Sequence, residues 1–271
     1  MAVITISRGS FSGGRAVAER LASRIGHPLL SREQVLAQAA GEFGISEKEL
    51  SAALNESPPF WRQVPGKRLA YVKAVTAVLL NHARNGDLVY HGHVGHLLLA
   101  SVSHVLKVRV IADMEQRTRA AMEQMKLSRP DAVVYIQRVD RDRSRWARLL
   151  YGVEWDDPNQ YDLVVNLARL SVDGAADIIA RTSQMPEFQP TDASRKALED
   201  LSLSCRVWAA LARDPKTRSA GIDVTADDGQ VLISGSVGSS GVIDAIAATA
   251  ATVPGVKSVR TEMAVGSDWH W

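Results

Sequence analysis

Over the first two thirds of the chain, short β-branched runs alternate with longer stretches whose apolar residues return every three or four positions. Residues 3–7, 88–91, 106–111 and 161–166 are of the first kind and predict strands. Residues 16–25, 31–43, 50–54, 67–85, 113–126 and a stretch from 128 past 148 are of the second kind and predict helices, with a closing helix at 173–181. Ser31 precedes Gln34 at capping-box spacing, Ser46 and Ser128 offer further helix starts, and Gly26 and Asn85-Gly86 supply stops. Strands separated by helices, with no hairpin signals, predict a parallel sheet covered on both faces. Right-handed crossovers then bring the loop at 8–15 and the turn at Gly92-His93 to one sheet edge.

The pattern changes after Met185. Pro186 and Pro190 flank a polar stretch, and a helix is expected from 197 to 213. Alternation at 222–225, a turn at 227–230 and alternation at 231–235 predict a β-hairpin, followed by a small-residue helix at 241–253 and a strand at 256–265. The chain therefore reads as an α/β domain at 1–185, a linker at 186–192, and a small α+β domain at 193–271.

Composition narrows the class. A hydrophobic content of 46%, a charged content of 23% and a net charge of +2 are ordinary for a soluble protein and give no strong field for nucleic acid or membrane. A lone cysteine, Cys205, excludes an intramolecular disulfide framework. No leader is expected, since residues 3–7 read as a core strand, and no apolar run approaches the ~20 residues of a membrane span. A cytoplasmic location is the default expectation.

The chemistry starts at Arg8-Gly9-Ser10-Phe11-Ser12-Gly13-Gly14-Arg15, between a predicted strand and a predicted helix. Gly9, Gly13 and Gly14 let successive N–H groups point at an anion beside a helix N-terminus. The spacing Gly9-x4-Gly14 fits a Walker A loop, yet Arg15 stands where lysine is usual and Ala16 where a serine or threonine would ligate Mg²⁺. Mg²⁺ would then be held by the nucleotide, water, Ser12 or a carboxylate such as Asp113, which also reads as a helix cap. Arg138, Arg141, Arg143 and Arg145 form a basic run, either a lid over phosphates or a solvated helix laced by Asp140 and Asp142. His91, His93 and His96 lack metal-ligand spacing, and no metal site is assigned to them. Residues 58–67 read equally as a binding loop and as a connector. Trp146, Tyr151 and Trp155 read as packing residues, and Trp269-His270-Trp271 as a frayed end or a contact for a partner.

Residues 4–8 with Ser12-Gly13-Gly14-Arg15, Gly92 after its strand, Ala112 with Glu115 and Arg117, the run 138–143 and Tyr161-Asp162-Leu163 together resemble the cytidylate-kinase-like family of P-loop nucleoside monophosphate kinases, over residues 1–182. The resemblance implies a five-stranded parallel sheet, ATP and Mg²⁺ as cofactors, and phosphoryl transfer to a nucleoside monophosphate or related small acceptor. It places Gly9, Ser10, Ser12, Gly13, Gly14 and Arg15 on the donor phosphates, and Arg15, Arg138 and Arg143 on the transferred group. It places Arg32, Gly92 and His93 on the acceptor; the family leads one to expect arginine at the last position. A non-catalytic nucleotide sensor or scaffold is the alternative, since Ala16 and His93 depart from the catalytic pattern. Residues 229–237 and 253–259 resemble a BON domain, which implies binding of a lipid, a small ligand or a protein partner.

Overall fold

The computed structural model describes residues 2–55, 65–218 and 220–266. The segment 58–67 lies outside the described residues up to position 64, as does the end at 269–271. Strands β1 (Val3–Arg8), β2 (Leu29–Ser31), β3 (Leu88–Gly92), β4 (Val105–Ile111) and β5 (Leu163–Asn166) form a parallel sheet in the order β2-β3-β1-β4-β5. The helices between and after them are α1 (Gly14–Ile25), α2 (Arg32–Phe43), α3 (Glu47–Asn55), α4 (Pro65–Ala83), α5 (Gly95–Leu98), α6 (Met114–Met125), α7 (Arg129–Tyr151) and α8 (Val172–Ser183). Then come α9 (Asp192–Arg213), β6 (Gly221–Asp227), β7 (Gln230–Val237), α10 (Ser240–Ala251) and β8 (Ser258–Val265).

The chain divides into two compact units. One comprises Met1–Val35, Leu54–Ser57 and Asn85–Ser194, and the other Leu36–Ala53, Pro58–Arg84 and Arg195–Trp271. In the first, β1 is central, and its residues Val3 to Ser7 are buried on both faces. Ile4, Ile6, Leu106, Val108 and Val110 pack on one face against Val17 and Leu21 of α1 and Ala176 and Ile179 of α8. β2 escapes periodicity because it has three residues, and only pairing with β3 makes it a strand. The predicted strand at 161–166 starts two residues later, where a 3-10 turn at Pro158–Gln160 has ended and Asp162 has anchored to Lys107 N–H at 2.8 Å. The caps form as predicted: Ser31 and Gln34 bond reciprocally, and Asp113 and Ser128 accept from Gln116 and Asp131 N–H.

In the second unit β6 and β7 form the predicted hairpin, with Asp228 and Gly229 both at positive φ in the turn, and β8 adds parallel to β7. Ile222, Val224, Val231 and Ile233 face Val207, Trp208 and Leu211 of α9 and Ile246 and Ala250 of α10. Among the described residues, no helix is long and apolar enough to cross a membrane.

Candidate phosphate site

β1 delivers the chain into the loop at the C-terminal edge of the sheet, and α1 leaves it. Gly13, the residue before α1, has φ 80°, and a Cβ there would come within 2.7 Å of Leu167 Cδ1. A Cβ on Gly14 would come within 2.6 Å of Arg8 Cβ. Glycine is required at position 13 by conformation and at position 14 by space. Ser12 Oγ lies 3.0 Å from Gly9 O and 2.9 Å from Val110 O, which fastens the loop to the end of β4. α1 has no side-chain cap and no acid in its first turn, so its leading N–H groups are left to an anion.

The loop walls a cavity of 790 Å³ whose other sides come from Leu29, Ser31, Glu33, Gln34, His91, and the facing surfaces of α6 and α7. Three guanidinium groups converge near it. Arg143 reaches from α7 and donates through Nη1 to Arg8 O at 2.9 Å. Its Nε, Arg8 Nε and Arg32 Nη2 are buried with no hydrogen-bond acceptor among the described residues. Burial lowers the pKa of Arg143 to about 10, with Arg8 adding to the effect and Asp140 opposing it. Like charges held together with unanswered N–H groups are costly unless an anion joins them. The arrangement has the chemistry to accept an anion such as phosphate.

A second set of bonds locks α7 to the loop. Arg117 donates to Ser10 O at 2.8 Å and to Asp140 Oδ2 at 2.6 Å, while Ser10 Oγ approaches Asp140 Oδ1 at 3.4 Å. Asp140 therefore does more than neutralise neighbours along its own helix; it ties the arginine run to the loop.

The residues expected from the sequence separate at this point. Gly9, Ser10, Ser12, Gly13, Gly14 and Arg15 form one loop, and Arg143 lines the cavity beside them. Arg15 stands exposed at the cavity wall in an ion pair with Glu19 at 2.8 Å. Arg138 is exposed on α7, its guanidinium 5.3 Å from the Tyr135 ring, and does not line the cavity. Gly92 makes room for Arg32, since a Cβ there would come within 2.8 Å of Arg32 Cβ and 2.5 Å of the Tyr90 hydroxyl.

His93 is 3% exposed, with ring centroids 5.6 Å from Trp146 and 5.7 Å from Trp155. Neither of its nitrogens has a hydrogen-bond partner among the described residues, and burial, reinforced by Arg143 and Arg32, pushes its pKa well below the ordinary value. It is a neutral packing residue behind Arg143. His91, two positions earlier, lines the cavity instead, as do Arg8, Glu33 and Tyr135. Arg8 and His91 were within reach of sequence reasoning, because Arg8 ends β1 and His91 lies one residue before the end of β3, at the edge where the loop lies; Glu33 and Tyr135 depend on helix placement.

The donor set suits polyphosphate better than a metal. Ser12 turns its hydroxyl into the loop, Glu19 pairs with Arg15, and Asp113 caps α6. With alanine at position 16, the loop offers no side-chain oxygen in the place from which Mg²⁺ is usually held. Among the described residues, no group of three or more His, Cys, Asp and Glu is arranged to hold a metal ion.

A parallel sheet of order 2-3-1-4-5, with a glycine loop between its central strand and first helix, defines a P-loop kinase-like fold. Residues 3–169 match the model of the cytidylate kinase-like family, and the chain belongs to that family. Residues 200–267 match the BON domain. The chain is 27% identical to a cytidylate kinase of Ignicoccus hospitalis over 187 residues, which covers 67% of this chain and 98% of that protein. It is 26% identical to a cytidylate kinase of Pyrobaculum aerophilum, covering 66% of this chain and 90% of the relative. The solved structure of an uncharacterized protein from Eubacterium ventriosum superposes with a TM-score of 0.51 at 20% identity, covering 68% of this chain and 98% of that one. That last likeness is one of fold.

Proposed function

We propose that this chain transfers the γ-phosphate of ATP to a nucleoside monophosphate, cytidylate-like, or to a related small acceptor. Nucleotide-kinase-type phosphoryl transfer is what the family supports. The observation that carries the reading further is the convergence of buried, unanswered N–H groups of Arg8, Arg32 and Arg143 beside the uncapped start of α1. Phosphoryl transfer needs in-line positioning and charge stabilisation more than covalent chemistry, and these are what such groups supply. In this reading the loop at 9–15 holds the donor phosphates and Arg143 bridges toward the transferred group. Arg32, in the space left by Gly92, takes the acceptor phosphate. Arg138 closes toward the nucleotide only if its part of α7 moves. ATP brings the transferable phosphoryl group, and Mg²⁺ arrives held by the nucleotide and water.

The division into a kinase-like domain at 1–185, a linker at 186–192 and a BON-like domain at 193–271 belongs to the same proposal, with a lipid, small-ligand or protein partner for the last. A second reading, a nucleotide-binding sensor without turnover, is favoured by the missing hydroxyl at Ala16 together with the inward-turned Ser12. A coupled assay with ATP, Mg²⁺ and a panel of nucleoside monophosphates, run beside ATP titration, separates the two. Turnover that falls about 100-fold or more in Arg143→Ala supports the enzyme. ATP binding without turnover on any acceptor supports the sensor, and failure to bind ATP overturns both.

A further inference from the structure

The two edges of the three-stranded sheet differ in charge. β6 and β8 each pair with β7 on one side, and among the described residues neither has a strand on the other. An open edge presents N–H and C=O groups that another chain can pair with, and charge of one sign, proline or a bulge keeps such chains away. β6 carries Asp223 and Asp227 on its solvent face and has no cation along its length, so two copies of it would repel. β8 is eight residues long and contains neither proline nor glycine. Its solvent face carries one charge of each sign, Arg260 and Glu262, 2.8 Å apart.

The ladder register shows which backbone groups of β8 are free. Gly266 N–H donates to Val237 O at 3.0 Å, and Ser258 N–H approaches Gly229 O at 3.4 Å, both toward β7. In a parallel pair alternate residues face the partner, so Ser258, Arg260, Glu262 and Ala264 bond to β7. Val259, Thr261 and Met263 therefore turn their N–H and C=O groups to the open edge. Their side chains lie on the face toward the core, which leaves Val259 and Met263 only partly buried. Antiparallel pairing with a second β8, about a two-fold axis at Thr261, gives each of these outward groups a partner: Val259 bonds to Met263, and Thr261 to its own copy. Arg260 then falls opposite Glu262 on both sides of the axis, in the non-hydrogen-bonded pairs where cross-strand side chains meet most closely. An axis at Arg260 or at Glu262 would set like charges opposite each other.

We infer that the open edge of β8 docks a second copy of this chain, by antiparallel pairing centred on Thr261 with Arg260 of each copy against Glu262 of the other. Such a contact is self-complementary and closes on itself, as a two-fold dimer requires. Docking at β8 is independent of the phosphoryl-transfer reading.

Sedimentation equilibrium of the full chain over about 1–100 μM should show monomer and dimer in exchange, in keeping with a small interface. Arg260→Glu and Glu262→Arg, each alone, place like charges across the axis and should each weaken association about 10-fold or more. Mixed in equal amounts, the two variants should associate about as tightly as wild type, because each supplies the charges that the other lacks. Both variants lose the ion pair within their own chain, and a purely structural role for that pair gives no rescue on mixing. Melts in dilute solution check that each variant is folded. Amide exchange in wild type, which needs no variant, should slow at Val259, Thr261 and Met263 as concentration rises. A monomer over the whole range, association untouched by either reversal, a mixture no tighter than the single variants, or exchange at Thr261 that ignores concentration would each overturn the inference.

Discussion

At the C-terminal edge of the five-stranded sheet, Arg8, Arg32 and Arg143 keep buried N–H groups that no described protein atom accepts. The three-stranded sheet is arranged in the opposite way. Its inward positions, Ile222, Val224, Val231 and Ile233, are apolar, and charges such as Lys257 with Asp228 and Arg260 with Glu262 pair in solvent. The contrast follows from strand direction. Parallel strands end together, so their loops and the helix starts that follow collect polar groups at one edge, where a ligand must answer them. In the small unit β6 pairs antiparallel to β7, the faces alternate, and the apolar half of each strand is covered by α9 and α10. Both sheets have an apolar core, but among the described residues the buried unanswered arginine N–H groups named above lie at the edge of the five-stranded one.

That contrast can be broken by experiment. Ile233→Ala should cost about 2–5 kcal/mol of stability in denaturant melts, yet leave ATP affinity unchanged under conditions where the chain remains folded. A loss of nucleotide binding in the folded variant would show that the two regions are not separate. Arg143→Ala should do the reverse: stability near wild type or higher, because a crowded cation is removed, and turnover reduced about 100- to 1000-fold, roughly 3–4 kcal/mol.

Acid offers a third test. His96 is 1% exposed against the Tyr161 ring, and burial, with Lys107 and Arg109 adding to it, lowers its pKa to about 3. The unfolded chain, with an imidazole near the ordinary 6.5, binds the extra proton first. Stability is therefore full above about pH 6.5 and declines as pH falls toward 3, by roughly 2 kcal/mol between pH 7 and 5. His93 contributes with the same sign. His96→Leu should flatten much of that slope in thermal melts, and an unchanged slope would remove His96 from the account. The smallest effect should come from Glu262→Gln, whose solvent-exposed ion pair with Arg260 is expected to shift stability by less than about 0.5 kcal/mol.

Much of the candidate site was legible along the chain. Residues 9–15 are contiguous, so their glycine spacing carries the turn, and both flanking elements are named by their own periodicity. The arginine run on α7 was equally visible, but its membership of the site was not. Arg143 reaches the loop whereas Arg138, five positions earlier and on a different side of the helix, does not. A run of like residues gives the charge, and only packing chooses which of its members point inward.

The histidines make the same point at closer range. His91 and His93 are two residues apart, yet one lines the cavity and the other packs against two tryptophans, Trp146 and Trp155, contributed from more than fifty residues farther along the chain. Those tryptophans read correctly as packing residues, but nothing local says against what they pack. The sequence by itself determined the order of elements, the capped helix starts, the hairpin and the glycine loop, because each depends on neighbours within a few positions. Tertiary structure alone decided that Leu29–Ser31 is a strand, that Ser12 closes the loop instead of facing a metal, and that Asp140 ties α7 to Ser10. It also decided that Glu33 and His91 line the same cavity as Arg8 and Arg143. Those outcomes depend on residues far apart in the chain meeting at one sheet edge, a distance over which neither periodicity nor spacing carries information.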